Sequence, residues 1–213
     1  MPSFETLVLV AVVLAGLATL VFVLVALSGR DSRATSSLDS GRFEEAVELG
    51  SAPGAERDQK LAAAMAARHL ERFAEALRLL EDLVEADPRD GEAWLELGLV
   101  EAHRGRFESA HRAFDRVSAS RSDLLEPLTL HRAWLALEEG DESTARRHFD
   151  EIEVPLENKL RQEIGPGDAI FADWFLEAGL LWRHRGDDER AHWALEAARR
   201  AAPRSRLVAD RAH

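Results

Sequence analysis

The sequence predicts an all-α chain: helix pairs stacked in tandem as an α-solenoid, behind one apolar N-terminal helix. Three observations carry this. Ala, Leu, Glu and Arg dominate, and β-branched and aromatic residues are sparse after the first 30 positions, which favours helices over strands. A small-residue pattern recurs with a period near 34 residues, as in a repeat array. Finally, Leu7–Leu27 is a 21-residue run without a charge or a proline.

That run is long enough to cross about 30 Å of hydrocarbon as a helix, whose backbone groups are satisfied internally. A cleaved secretory signal needs a basic start and a shorter apolar core, whereas this chain begins MPSFET. Residues 1–28 are therefore expected to be a retained single-pass transmembrane anchor. Arg30 and Arg33 follow the run and Glu5 precedes it, so the positive-inside rule puts the following domain in the cytoplasm. An extracytoplasmic or periplasmic location is the alternative. Ala11, Ala15 and Thr19 form a small-residue stripe of the kind through which membrane helices dimerise.

Residues 29–56 read as a linker and a half repeat. The stretch from Ser28 to Ser40 is small and polar, as flexible linkers are. Gly41-Arg42-Phe43-Glu44-Glu45-Ala46 then opens a short helix over 42–50, which Ser51-Ala52-Pro53-Gly54 ends.

Self-comparison locates the repeats over 57–213. An alanine recurs at Ala46, Ala76, Ala110, Ala145 and Ala191, with a glycine five residues earlier at Gly41, Gly105, Gly140 and Gly186 and Glu71 in the remaining case. Glycine permits the positive-φ turn between two antiparallel helices. The alanine must be small where the two helices cross. The units fall at about 57–90, 91–124, 126–155 and 172–203. In 108–117, Ala110, Ala113, Phe114 and Val117 form an i, i+3, i+4, i+7 stripe. Helices of this length are marginal alone and must share stability with their neighbours.

Residues 153–171 exceed the repeat period. Pro155 suits the start of a short helix presenting Leu156, Leu160 and Ile164 on one face. The segment reads as a lengthened helix pair or as a partner-specific surface loop. After Pro203, RSRLVADRAH reads as a capping helix or a frayed end. Arg199, Arg200, Arg204 and Arg206 suit the C-terminal end of a helix.

The unit at 91–124 resembles the tetratricopeptide repeat family through Trp94, Leu97, Gly98, Gly105, Ala110 and Phe114. Its neighbours fit through Ala63, Ala64, Ala67, Ala76, Leu80 and Pro88, through Gly140, Asp141, Ala145 and Phe149, and through Phe175, Gly179, Trp182, Gly186, Asp187, Ala191, Leu195 and Pro203. Glu101, Ser122 and Arg132 depart from the pattern. The resemblance implies a superhelix whose first helices line a concave, partner-binding groove. By position that groove would be lined by Asp58, Leu61, Met65, Arg68, His69, Glu92, Leu95, Leu99, His103, Leu130, Trp134, Glu138, Asp173, Leu176, Leu180, Arg183 and His184. Leu, Met and Trp among charges suit an amphipathic helix or an extended peptide. His69, His103 and His184 share one repeat position, with Glu138 in the third unit. They are either loosely chosen polar helix ends or a ladder titrating between about pH 5 and 8.

The net charge of −12 disfavours nucleic acid, which demands a basic stripe. There is no cysteine, hence no disulfide framework and no thiolate chemistry. No phosphate loop, nucleophile elbow or His-Glu-x-x-His is present, so no enzyme, cofactor or metal site is expected. The expected function is a membrane-anchored scaffold or assembly factor that holds a protein or peptide partner. A self-assembling structural membrane protein is the alternative.

Overall fold

The computed structural model describes residues 33–117, 122–162 and 169–212. Every regular element among them is helical: α1 (33–39), α2 (Phe43–Gly50), α3 (Arg57–His69), α4 (Phe73–Ala86), α5 (Gly91–His103), α6 (Phe107–Phe114), a 3-10 turn (Ser122–Leu124), α7 (Leu125–Glu138), α8 (Glu142–Gln162), α9 (Ala169–His184), α10 (Asp188–Ala201) and α11 (Arg206–Arg211). Successive helices pair as α3 with α4, α5 with α6, α7 with α8, and α9 with α10.

One turn, used five times, makes these pairs. Gly41, Gly105, Gly140 and Gly186 adopt φ of 68°, 71°, 79° and 78°. At Gly105 the amide donates to Ala102 at 2.9 Å, and the next amide, Arg106, donates to Glu101 at 2.9 Å. This is the Schellman pattern, in which the left-handed residue lets two orphan carbonyls at the helix end find donors. Glu71 takes the same place with φ 58°, and Arg72 donates to Ala67 at 2.8 Å. The repeat imposes the turn there despite the Cβ. The five alanines that follow the turns are all buried, as close helix crossing requires. In the 91–124 unit the crossing is tighter still, since a Cβ on Gly98 would lie 2.3 Å from the Phe114 ring.

Two expectations are corrected. The linker does not extend to Ser40, because residues 33–39 are helical with Ala34, Ser37 and Leu38 buried. The helix at 42–50 is therefore the second member of a pair: Arg42 N–H donates to Ser37 at 2.8 Å across Gly41, as in the later turns. Few apolar residues mark this pair because alanine and serine suffice where helices approach closely. Likewise, Pro155 does not open a helix of its own. It lies within the 21-residue α8, and Leu156 and Leu160 are buried on that continuous helix. The excess length is thus a lengthened helix pair as far as Gln162.

Among the described residues, no helix is long and apolar enough to cross a membrane. The expected span at Leu7–Leu27, its stripe of Ala11, Ala15 and Thr19, and the flanking Arg30 lie outside the described residues.

Candidate partner-binding groove

The first helices of the pairs, α1, α3, α5, α7 and α9, converge on a cavity of about 510 Å³. From the expected groove set it takes Asp58, Leu61, Met65, Glu92, Leu95, Leu99 and Asp173. It also takes residues that repeat alignment did not nominate: Thr35, Leu38 and Asp39 of α1, Arg57 and Ala62 of α3, Glu96 of α5, Leu124, Pro127 and His131 around α7, and Trp174 of α9. The walls are mainly aliphatic and the mouth is charged.

Arg57 organises the mouth. Its guanidinium grips Asp90 through Nε at 2.8 Å and Nη2 at 2.6 Å, and it also reaches Asp58 at 2.8 Å and Glu92 at 2.5 Å. Such bidentate pairing fixes geometry as well as charge. Asp90 in turn caps α5 by accepting from Ala93 N–H at 3.1 Å. The Asp90 carboxyl lies below its usual range: burial pushes it up, but the hydrogen bonds from Arg57 and the Ala93 and Glu92 amides, with the Arg57 charge, together outweigh this.

Beneath the cavity lies a buried ionic layer. Arg68 donates through Nε to Glu96 at 3.1 Å and through Nη2 to Asp173 at 2.7 Å, so α3 is tied to both α5 and α9. His131 Nδ1 lies 2.6 Å from Glu177 Oε2 and ties α7 to α9. Burial pushes the Asp173 carboxyl up, but Arg68 beside it reverses the shift and holds it well below the carboxylate range. Burial pushes the Glu177 carboxyl upward despite His131.

The other end of the concave face is closed by the chain's own C-terminus. Ser205 caps α11, accepting from Val208 N–H at 3.1 Å, and its Oγ lies 3.0 Å from His69 Nδ1. Leu207 and Val208 are buried. Arg211 donates to Glu138 at 3.0 Å and sits 5.5 Å from the Trp134 ring centre. His103 lies tilted against Trp134 with centroids 4.7 Å apart, and His69 stacks on Phe43 at 4.7 Å. The segment after Pro203 is thus an ordered helix, and it covers part of the expected groove.

Several expected groove residues are consequently not on an open surface. Arg68, His69, Leu130, Trp134 and Leu176 are buried in the core, and His103 is half-buried. Leu180 is half-buried, and Arg183 is exposed. The histidine ladder is corrected too. Burial, with Arg68 adding to it and Asp173 opposing, lowers His69 to about 4. Burial, followed by Arg68 and Arg211, takes His103 well below the ordinary histidine value. His69 therefore does not change charge between pH 5 and 8 in the folded chain. His184 stands apart, 3.8 Å from Glu142 and beside Arg146 and Phe149.

The ionic layer has a signal in the sequence. Arg68, Glu96 and Glu177 are single charges inside apolar helical stretches, AAMAARHL, WLELGL and FLEAGL. Charges so placed are buried only when paired.

Tandem antiparallel pairs, each closed by a left-handed turn over a small crossing residue, define a helical-repeat solenoid. Residues 61–124 match a family model described as "Tetratricopeptide repeat". No curated protein matches the sequence. Among solved structures, the chain is similar to one titled "MamA MSR-1 C2", with 15% identity over 84% of this chain and 98% of that one and a TM-score of 0.47.

Proposed function

We propose that this protein is a membrane-anchored scaffold or assembly factor that holds a partner protein or peptide in the open half of its concave face. The carrying observation is the cavity itself: all five first helices contribute to it, and its aliphatic walls lie behind a charged mouth. Pockets of this character hold ligands by apolar burial and use a few polar groups to orient them. The anchor is the apolar run Leu7–Leu27, and Arg30 with Arg33 directs the repeats to the cytoplasm. Anchoring raises the local concentration of a partner at the bilayer without new contacts. No catalytic group takes part in this role.

Crosslinking of the full chain in its native membrane, followed by mass spectrometry, tests the proposal. Leu61 and Trp174 are half-buried cavity residues. Leu61→Lys with Trp174→Lys should abolish the partner crosslink and leave helicity unchanged. A partner retained by this double variant would exclude the cavity as the binding face. A topology reporter fused after His213 should be active only as a cytoplasmic fusion. Activity restricted to the outside would reverse the orientation. Sedimentation of the full chain against residues 29–213 tests dimerisation through Ala11, Ala15 and Thr19, which predicts a dimer for the full chain alone.

A further inference from the structure

The cavity has a marked charge asymmetry. Asp39, Asp58 and Glu92 stand at its mouth and Glu96 and Asp173 at its floor, against Arg57 and the Glu177-bound His131 as the basic side chains among its lining residues. Arg57 is already engaged by Asp90, Asp58 and Glu92. Behind the floor, Arg68 reaches one oxygen each of Glu96 and Asp173.

A second, independent observation points to a ligand. Four buried side-chain atoms have no hydrogen-bond partner among the described residues: Arg68 Nη1, His69 Nε2, His103 Nδ1 and Asp173 Oδ1. Of these residues, Asp173 alone lines the cavity. It is 5% exposed, and its second oxygen already accepts from Arg68 at 2.7 Å. A residue of the cavity floor therefore carries a buried, unmatched acceptor on a carboxylate that Arg68 keeps ionised. An unsatisfied buried acceptor is costly, and more so when it is charged. Around it, Leu61, Met65, Leu95 and Leu99 supply aliphatic wall.

We propose that the cavity receives an arginine or lysine side chain of the partner, flanked by aliphatic residues, with the cationic head directed at Asp173 and Glu96. The proposal rests on the groove reading given above. A guanidinium or ammonium supplies donors only, matching an acceptor-rich floor, and its methylene stem suits the aliphatic walls. A carboxylate or phosphate in the same place would meet like charge. The recognition is thus for a basic, amphipathic segment.

The test uses the full chain in lipid nanodiscs, with empty nanodiscs as the blank. Three blocked pentapeptides, Leu-Leu-X-Leu-Leu with X as arginine, citrulline or glutamate, are titrated and followed calorimetrically. Citrulline keeps the shape of arginine without the charge. The arginine peptide should bind at least tenfold tighter than the citrulline peptide, and the glutamate peptide at least tenfold weaker again. Met65→Lys should remove the arginine preference, and Met65→Glu should keep or strengthen it. This pair separates charge from any loss of packing at the half-buried Met65. Equal binding of all three peptides, lost in both Met65 variants, would overturn the cationic assignment and leave the groove reading standing. Binding that neither variant changes would overturn both.

Discussion

The two halves of the concave face are made from the same helices and have opposite characters. The half lined by Leu61, Met65, Leu95 and Trp174 surrounds an open cavity. At the other, His69, His103, Trp134 and Glu138 lie under or against α11. Between them runs the layer in which Arg68 joins Glu96 to Asp173. Residues at equivalent repeat positions are therefore not equivalent in exposure, because the last pair and the C-terminal helix come back onto the first helices. Repeat position specifies which way a side chain points. It does not specify whether another part of the chain already occupies that space.

The largest expected effect comes from breaking the layer between the halves. Asp173→Ala removes one of the two carboxylate partners of a fully buried guanidinium and should destabilise the fold by about 3–5 kcal/mol in urea unfolding. Adding Arg68→Met together with Glu96→Leu should recover much of that loss, since no charge of the layer is then left buried and unpaired. A triple variant no more stable than the single one would show that the layer is held by something other than these pairs.

Acid should loosen the closed half selectively. His69 is lowered from 6.5 to about 4. Between these values the unfolded chain takes up a proton that the folded chain does not. Stability from this group is therefore full above about pH 6.5, falls as the pH falls, and levels near pH 4, a loss of about 3 kcal/mol. His103 acts in the same direction. Glu177, raised by burial, acts oppositely, its contribution being lost as the pH rises. His69→Gln should flatten the melting temperature between pH 6.5 and 4. An unchanged slope would place the acid sensitivity elsewhere.

A smaller effect is expected from the cap. Leu207 is 1% exposed, and Leu207→Ala should cost about 2–3 kcal/mol. Amide exchange should then quicken in α11 and at the end of α3, with the protection of α5 around Leu95 unchanged. Uniform loss of protection would mean that the halves do not open independently. The smallest change lies off this face. Glu71 occupies a left-handed position that glycine takes in the other four turns, so Glu71→Gly should stabilise by up to about 1 kcal/mol. No change in peptide affinity should accompany it.

The helices, their pairing and the turns were legible because each repeat writes them locally. A glycine five residues before a buried alanine states the turn and the crossing together, and even Glu71 could be placed by register. The first pair was half missed: a helix packed through Ala34, Ser37 and Leu38 looks like a polar linker when apolar periodicity is the criterion. The candidate site was legible only in part. Leu61, Met65, Leu95 and Leu99 follow from repeat position. The burial of Arg68 and His69 depends on contacts 105 and 136 residues away in sequence, and no local pattern encodes these. Lone charges in apolar helices pointed to buried pairing without naming the partners.

The central claim is that partner binding uses the open half and not the closed one. A photocrosslinking amino acid placed at Met65, or separately at Glu138, in the full chain in its native membrane tests it most directly. Met65 lines the cavity, and Glu138 pairs with Arg211 of α11. The partner should crosslink from Met65 and not from Glu138. Capture from Glu138 with none from Met65 would contradict the account.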